Sequence, residues 1–298
     1  MAVKYLAGNR LWGTDAERLS MTTGDSMGAD GNATNNGADL DTTNEKLGTG
    51  CLDFNSSNTD YIDANNLQTN TAMTTKGTIA FWLNLDAVTN GEKVFMISDS
   101  NGTDGQIYME IESSGASGKI MCGCDLGGTA QWAIRMASGL LSATTWYHVA
   151  LTHDGTSPKV YLNGVDQTTT QVSTDLTKWV SMTSGMDSFG FGRSNYDSST
   201  GAYLNGKFDD IGIWNDALII GTDEDTADSI KWLYNDDDGR LASTIQTGLR
   251  AYYNCDSATT DNNAIDTPPN LPNGATFLTS DTNKLFMFDG TDTWNEVS

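Results

Sequence analysis

Residues 145–166 read TWYHVALTHDGTSPKVYLNGVD, and this run decides the fold class. Trp146, His148, Ala150 and Thr152 alternate with Tyr147, Val149, Leu151 and His153. A period of two in aromatic and β-branched residues marks a pleated strand covered largely on both faces. Asp154-Gly155 and Ser157-Pro158 break the run as turn residues do. The strand resumes over Lys159–Leu162, and Asn163-Gly164 supplies the positive φ angles of a tight hairpin turn. The stretch therefore predicts a meander of antiparallel strands, with a third beginning at Val165.

Working outward, three further blocks fall into line: GCLDFNSSNTDYI at 50–62, TIAFWL at 78–83 and GKFDDIGIWNDAL at 206–218. With WYHVALTHDG and VYLNG, they resemble the laminin-G-like jelly rolls of the concanavalin A-like superfamily. The first block resembles the opening strand pair, the second the first aromatic inner strand, and the third the closing strand. The resemblance implies an all-β, antiparallel two-sheet jelly-roll sandwich. The residues outside it add one short helix and a small C-terminal β-hairpin unit. The expected organisation is an N-terminal arm over 1–20, the jelly roll over 21–257, and a linker with the hairpin unit over 258–298. A fold of this kind does not by itself set an activity.

The chain has 298 residues, enough to bury roughly three quarters of its unfolded surface. Gly is abundant at 31 and Pro scarce at 4, which suits many short strands joined by turns. A formal net charge of −23 argues against nucleic acid as a partner, because phosphate binding needs a basic surface. No apolar run approaches the ~20 residues of a membrane-spanning helix, so no membrane insertion is expected. The opening MAVKYLAGNRLWGTDAER lacks the apolar stretch of a signal peptide. Cys122 and Cys124 fall on one face of a strand and read as small buried hydrophobes, with no second cluster at zinc spacing. Cys51 and Cys255 can be bridged only if their strands are neighbours.

The acidic loops raise the question of calcium, a hard cation that takes oxygen ligands. In the superfamily that the chain resembles, the opening loop can share a calcium ion with the closing strand. That loop is 22–49 here, with Asp25, Asp30, Asn32, Asp39 and Asp41, and the closing-strand ligand is Asp209 or Asp210. The loop SDSNGTDG at 98–105 resembles the calcium loop of pentraxins. That likeness implies Asp99 and Asn101 as ligands, joined by Asn195 and Asp197, for one ion.

Glu110 and Glu112 are tested against the retaining glucanases of the superfamily, which carry E-x-D-x-x-E with two carboxyl groups ~5 Å apart. Ser114-Gly115 stands where the acid is required, so the double displacement has no proton donor and no enzyme is expected. His148 and His153 have no legible Asp and Ser partners and read as hydrogen-bonded strand residues. The segment 167–205 reads as polar loop around one strand at 188–192. Its Trp179, Tyr196 and Tyr203 either stack on a surface glycan or plug the rim of the sandwich. Residues 222–238 read as a helix started by Thr222 and Asp225, with Ala227, Ile230, Leu233 and Tyr234 on its apolar face, and stopped by Gly239. GLRAYYNCDS at 248–257 reads as a strand appended to the same domain.

The ends of the chain, YLAGNRLWGT at 5–14 and PNGATFLTSDTNKLFMFDGTDTW at 272–294, resemble terminal pieces of structural proteins in marine tailed phages. Tyr5, Leu11, Trp12, Phe286, Phe288 and Trp294 must be covered by the sandwich or by another chain. The expectation is a non-enzymatic virion surface or decoration protein with a glycan- or host-surface-binding jelly roll. Its partners would be copies of itself or other virion proteins, at the virion surface or outside a cell. The alternative is a free carbohydrate-binding or adhesin module of a microbe.

Overall fold

The computed structural model describes residues 4–6, 10–13, 33–64, 75–102, 104–114, 117–136, 141–180, 186–218, 229–245, 248–257, 276–279, 282–288 and 294–297. The strands begin with β1 (Lys4–Leu6), β2 (Arg10–Gly13), β3 (Thr34–Asn36), β4 (Asp39–Asp41), β5 (Cys51–Phe54), β6 (Tyr61–Asp63), β7 (Gly77–Leu85) and β8 (Lys93–Ser98). They continue with β9 (Gly105–Ser114), β10 (Ser117–Leu126), β11 (Thr129–Met136), β12 (Trp146–His153), β13 (Pro158–Leu162), β14 (Val165–Asp166), β15 (Thr168–Ser173) and β16 (Ser188–Phe191). The last are β17 (Ser194–Tyr196), β18 (Ser199–Gly201), β19 (Gly206–Trp214), β20 (Leu249–Tyr253), β21 (Thr276–Thr279), β22 (Leu285–Phe288) and β23 (Trp294–Glu296), with the helix α1 (Ile230–Tyr234).

Two antiparallel sheets form the sandwich. The front sheet runs β15-β11-β10-β9-β8-β16-β6-β3, and the back sheet runs β14-β13-β12-β7-β19-β5-β4 with β20 also paired to β19. The stretch read first lies in the back sheet as β12 and β13, with Val149 opposite Leu162 and His153 opposite Pro158. Asn163 and Gly164 take φ 51° and 74°, the two positive angles a tight hairpin requires.

Between the sheets lies a core set by the inward half of each alternation. Phe81 packs edge-on against Phe95, Phe191 and Phe208 with ring centroids 6.4, 6.3 and 5.2 Å away. Phe54 closes on Phe208 at 5.1 Å, so these five rings bind both sheets together. Aromatic pairs at such distances add to the burial of their area. Cys51, Cys122, Cys124 and Cys255 are free and buried.

A second apolar cluster covers the outer face of the back sheet. Ala80, Ala150, Tyr161 and Trp214 of that sheet meet Ile230, Leu233, Ala242 and Ile245 of the segment that follows it. Trp214 Nε1 donates to Ile245 O at 2.9 Å. The described helix is shorter than the sequence suggests: Ser229, not Thr222, is its cap, accepting from Trp232 N. Residues 219–228, where the earlier start was expected, lie outside the described residues. β20 pairs with β19, so the strand at 249–253 is part of the back sheet. Strands at 34–36, 39–41, 168–173, 194–196 and 199–201 were not read from the sequence.

The ends of the chain form a third sheet, β1-β2-β21-β22-β23. β2 lies parallel to β21, with Leu11 opposite Phe277 and Trp12 opposite Leu278. Phe277 and Phe286 are cross-strand neighbours and buried, while Leu278, Leu285 and Met287 of the same two strands are exposed. The side chains of Tyr5, Leu11, Trp12, Phe288 and Trp294 lie outside the described residues.

Truncating Phe81 removes the ring that touches three others at the centre of the sandwich. Phe81→Ala is expected to cost about 3–5 kcal/mol. Urea denaturation should show this as a lowered midpoint at an unchanged slope.

Candidate functional site

Asp209 and Asp210 sit at a bulge in β19, where the register against β7 shifts and Asp210 takes φ 52°. Neither faces solvent. Asp209 Oδ2 accepts from the backbone N–H groups of Lys46 and Leu47, both at 2.8 Å. Asp210 Oδ2 accepts from Ala242 N, and its Oδ1 accepts from the Tyr252 hydroxyl, each at 2.8 Å. Burial pushes both carboxyl groups up to about 7. The described part of the opening loop, 33–49, lies beside the closing strand and brings backbone N–H to Asp209, while Asp25, Asp30 and Asn32 lie outside the described residues.

The other proposed cation ligands also meet through the main chain. Asp197 N donates to Asp99 O at 3.3 Å and Ser198 N to Ser100 O at 2.7 Å, so the two loops are side by side. Asp99 uses its carboxylate within its own loop, accepting from Asn101 N and Asp104 N. Asn195 Nδ2 donates to Ser188 Oγ. Among the described residues no group of three or more His, Cys, Asp and Glu side chains is placed to hold a metal ion.

Trp179 is fully buried and stacks on His153 with centroids 5.0 Å apart, so it fills the rim. Gly155 N donates to His153 Nδ1 at 3.0 Å, which leaves Nε2 as the donor to Leu176 O at 2.8 Å. His148 is buried as well, and desolvation brings it down to about 3.

With the back sheet covered, the front sheet's outer face is the polar one. Ile62, Ile107, Met109, Ile111, Ile120, Cys122, Cys124, Trp132 and Ile134 point into the core. Their neighbours therefore point out: Tyr61 and Asp63 on β6, Gln106, Tyr108, Glu110 and Glu112 on β9, Lys119, Gly123 and Asp125 on β10, and Arg135 on β11. Arg193, just beyond β16, reaches back over β6. Its guanidinium lies 3.6 Å above the Tyr61 ring and its Nη2 is 2.7 Å from Asp63 Oδ1. Lys93 Nζ lies 4.5 Å above the Tyr108 ring and contacts Glu110 Oε2. Arg135 pairs with Glu112 at 3.3 Å, and Gln106 donates to Asp125 at 2.7 Å. Gly123 makes room for Tyr108, because a Cβ there would stand 2.6 Å from the phenol. Burial lowers Lys93 to about 8 and raises the Tyr108 hydroxyl to about 12.

Glu110 and Glu112 thus share one face of β9, and each is held by its own cation. Of the loop aromatics read from the sequence, Tyr203 stands 6.4 Å from Tyr61. Tyr196 belongs to the β17–β18 hairpin, whose Asn195 N reaches Met96 Sδ on β8. Burial, and after it Asp125, raises the Tyr196 hydroxyl. The sequence reading missed Arg193, Tyr61 and Tyr108. The signal available was Tyr-x-acid on two strands, YID at 61–63 and YME at 108–110.

Residues 56–219 match the concanavalin A-like lectin/glucanases family throughout. The chain belongs to that superfamily. Among solved structures, a mutant NanB sialidase from Streptococcus pneumoniae is similar at TM-score 0.46 and 18% identity, over 57% of this chain and 26% of that one. The match thus spans about a quarter of the sialidase. The CBM40 of the Ruminococcus gnavus IT-sialidase, bound to sialyllactose, is similar at 0.41 and 16%, over 51% of this chain and 81% of that one. Domain 4 of the arabinanase AbnA from Geobacillus stearothermophilus, in complex with arabinotriose, is similar at 0.45 and 17%, over 69% and 86%. No curated protein sequence matches the chain. Likenesses this distant carry no ligand or activity to this member of the superfamily. Among the described residues no helix is long and apolar enough to cross a membrane.

The pair at the bulge sets a pH dependence. A carboxyl raised from 3.8 to about 7 takes up a proton in the folded state while the unfolded chain has released it. Its contribution to stability is full below pH ~4 and is lost as pH rises through ~7. Asp210→Asn does not titrate, so its stability relative to wild type is expected to rise between pH 4.5 and 8 on the sign of that linkage, roughly across the window set by the two values. Urea midpoints of both proteins across this range check it, and a constant difference contradicts it.

Proposed function

We propose that this protein is a non-enzymatic surface protein whose front sheet binds a glycan and whose terminal sheet fixes it to a larger assembly, a virion surface in the first instance. The observation that carries the glycan reading is the charge balance of the front face. Lys93, Lys119, Arg135 and Arg193 stand among Asp63, Glu110, Glu112 and Asp125, four against four before the hairpin and loop acids Asp197, Asp99 and Asp104 at its edge are counted, on a chain of net charge −23. Elsewhere the charge repels acidic surfaces; here it cancels locally. Donors and acceptors are held in pairs beside half-buried tyrosines, the mixture that sugar hydroxyls and sugar faces require.

The non-enzymatic part of the reading rests on Glu110 and Glu112. A hydrolase needs one carboxyl group free to donate a proton, and each of these is engaged by a cation. The assembly part rests on the terminal sheet. Leu278, Leu285 and Met287 expose apolar surface beside each other, and covering a large apolar side chain is worth about 1.5–3 kcal/mol.

Purified protein on an immobilised glycan panel is expected to bind, and the double variant Tyr61→Ala/Tyr108→Ala to lose about tenfold or more in affinity, ~1.4 kcal/mol. Absence of binding to any glycan removes the reading. For assembly, removal of residues 1–20 together with 271–298 is expected to leave a folded sandwich that no longer joins its particle. Light scattering and particle incorporation read this out; unchanged oligomeric state and unchanged incorporation count against it.

A further inference from the structure

The front face carries the same three groups twice. On β6, Tyr61 and Asp63 stand two residues apart, and Arg193 covers the tyrosine ring while pairing with the acid. On β9, Tyr108 and Glu110 stand two residues apart, and Lys93 does the same. Each cation comes from the inner side: Lys93 opens β8, next to β9, and Arg193 follows β16, next to β6. Phe191 faces Phe95 across β16 and β8, so Arg193 and Lys93 lie equally far beyond that pair. Tyrosine and acid exchange places between the two sets, because β6 and β9 run in opposite directions.

β6 and β9 are separated by three strand spacings, ~14 Å. The β17–β18 hairpin stands over the strands between them. Asn195 reaches Met96 and Ser188, Lys93 N donates to Ala202 O, and Met96 is only 3% exposed beneath it. The two tyrosines thus stand on strands either side of β8 and β16, while the two cations start at the same level on those inner strands. Tyr203 adds a second ring to the set on β6.

We propose that these are two separate subsites of the same chemistry, each taking a neutral pyranoside sugar. The proposal rests on the glycan-binding reading above and adds the number of sites and the charge of the ligand. A guanidinium has five N–H donors, an ammonium three, and a carboxylate about four lone-pair positions, so one ion pair does not use them all. What reaches solvent is the exposed edge of each pair, 10% of Arg193 and 21% of Asp63, 16% of Lys93 and 17% of Glu110. Adjacent sugar hydroxyls offer the matching acceptor and donor at once. The tyrosine beside each pair supplies an apolar wall. An acidic sugar would have to displace Asp63 or Glu110 from its cation, whereas a neutral one binds without separating the pair.

The test is calorimetric and NMR titration of the full-length chain with cellotriose, maltotriose and xylotriose, and with sialyllactose as the acidic probe. Two neutral ligands per chain are expected for the trisaccharide that binds. Asp63→Asn should leave one site, Glu110→Gln the other, and the double variant neither, with melting temperatures confirming that each remains folded. Gly123→Ala should weaken the site on β9 alone, since its Cβ would push the Tyr108 ring aside. One site per chain, or loss of both sites in either single variant, overturns the two-subsite proposal and leaves glycan binding standing. Tighter binding of sialyllactose than of every neutral probe overturns the neutral ligand. Failure of the wild-type chain on these probes and on the whole glycan panel overturns the underlying reading.

Discussion

The back sheet depends on the break in β19 at Asp209 and Asp210. Before it, β19 pairs on one side with β5; after it, the same side pairs with β20. The bulge between the two ladders re-aims the strand, and β5 and β20 divide its edge there. Asp210 takes a positive φ at this point. The two carboxylates then fasten what the break admits. Asp209 holds the loop before β5, while Asp210 holds Ala242 and Tyr252, on either side of the turn into β20. A desolvated carboxylate at this position is costly, and the hydrogen bonds it accepts offset that cost.

That arrangement divides the labour of the two sheets. Because the segment 229–245 is fastened over the back sheet, the outward residues there include Trp82, Trp214 and Tyr161, and they are buried. Among the described residues no such segment covers the front sheet across β9–β11, and its outward residues there include ion pairs and Tyr108. The same alternation in both sheets produces a second core on one side and an ion-paired polar face on the other.

Sequence periodicity made the sandwich legible because its central strands are long and strongly patterned. β7, β12 and β19 all fall in the blocks read first. The three-residue strands β3, β4, β17 and β18 escaped, since a strand so short has too few positions to show a period. The pairing of β2 with β21 escaped for another reason: it joins segments at opposite ends of the chain, and nothing local encodes a parallel partner. Of the site, the aromatic loop residues Tyr196 and Tyr203 were legible as polar-loop aromatics. Tyr61 and Tyr108 were not, because an outward tyrosine in a strand looks the same as an inward one until the register is known. Trp179 shows the converse, a loop tryptophan that the rim encloses.

The parallel pairing of β2 with β21 closes the chain on itself. All of residues 14–275 lies inside the loop so formed. A pull on the two ends therefore runs first through the hydrogen bonds of the terminal sheet. While those hold, no tension between the two ends reaches the sandwich. The terminal sheet is then a mechanical fuse: under a pull between the two ends it yields before the sandwich is loaded.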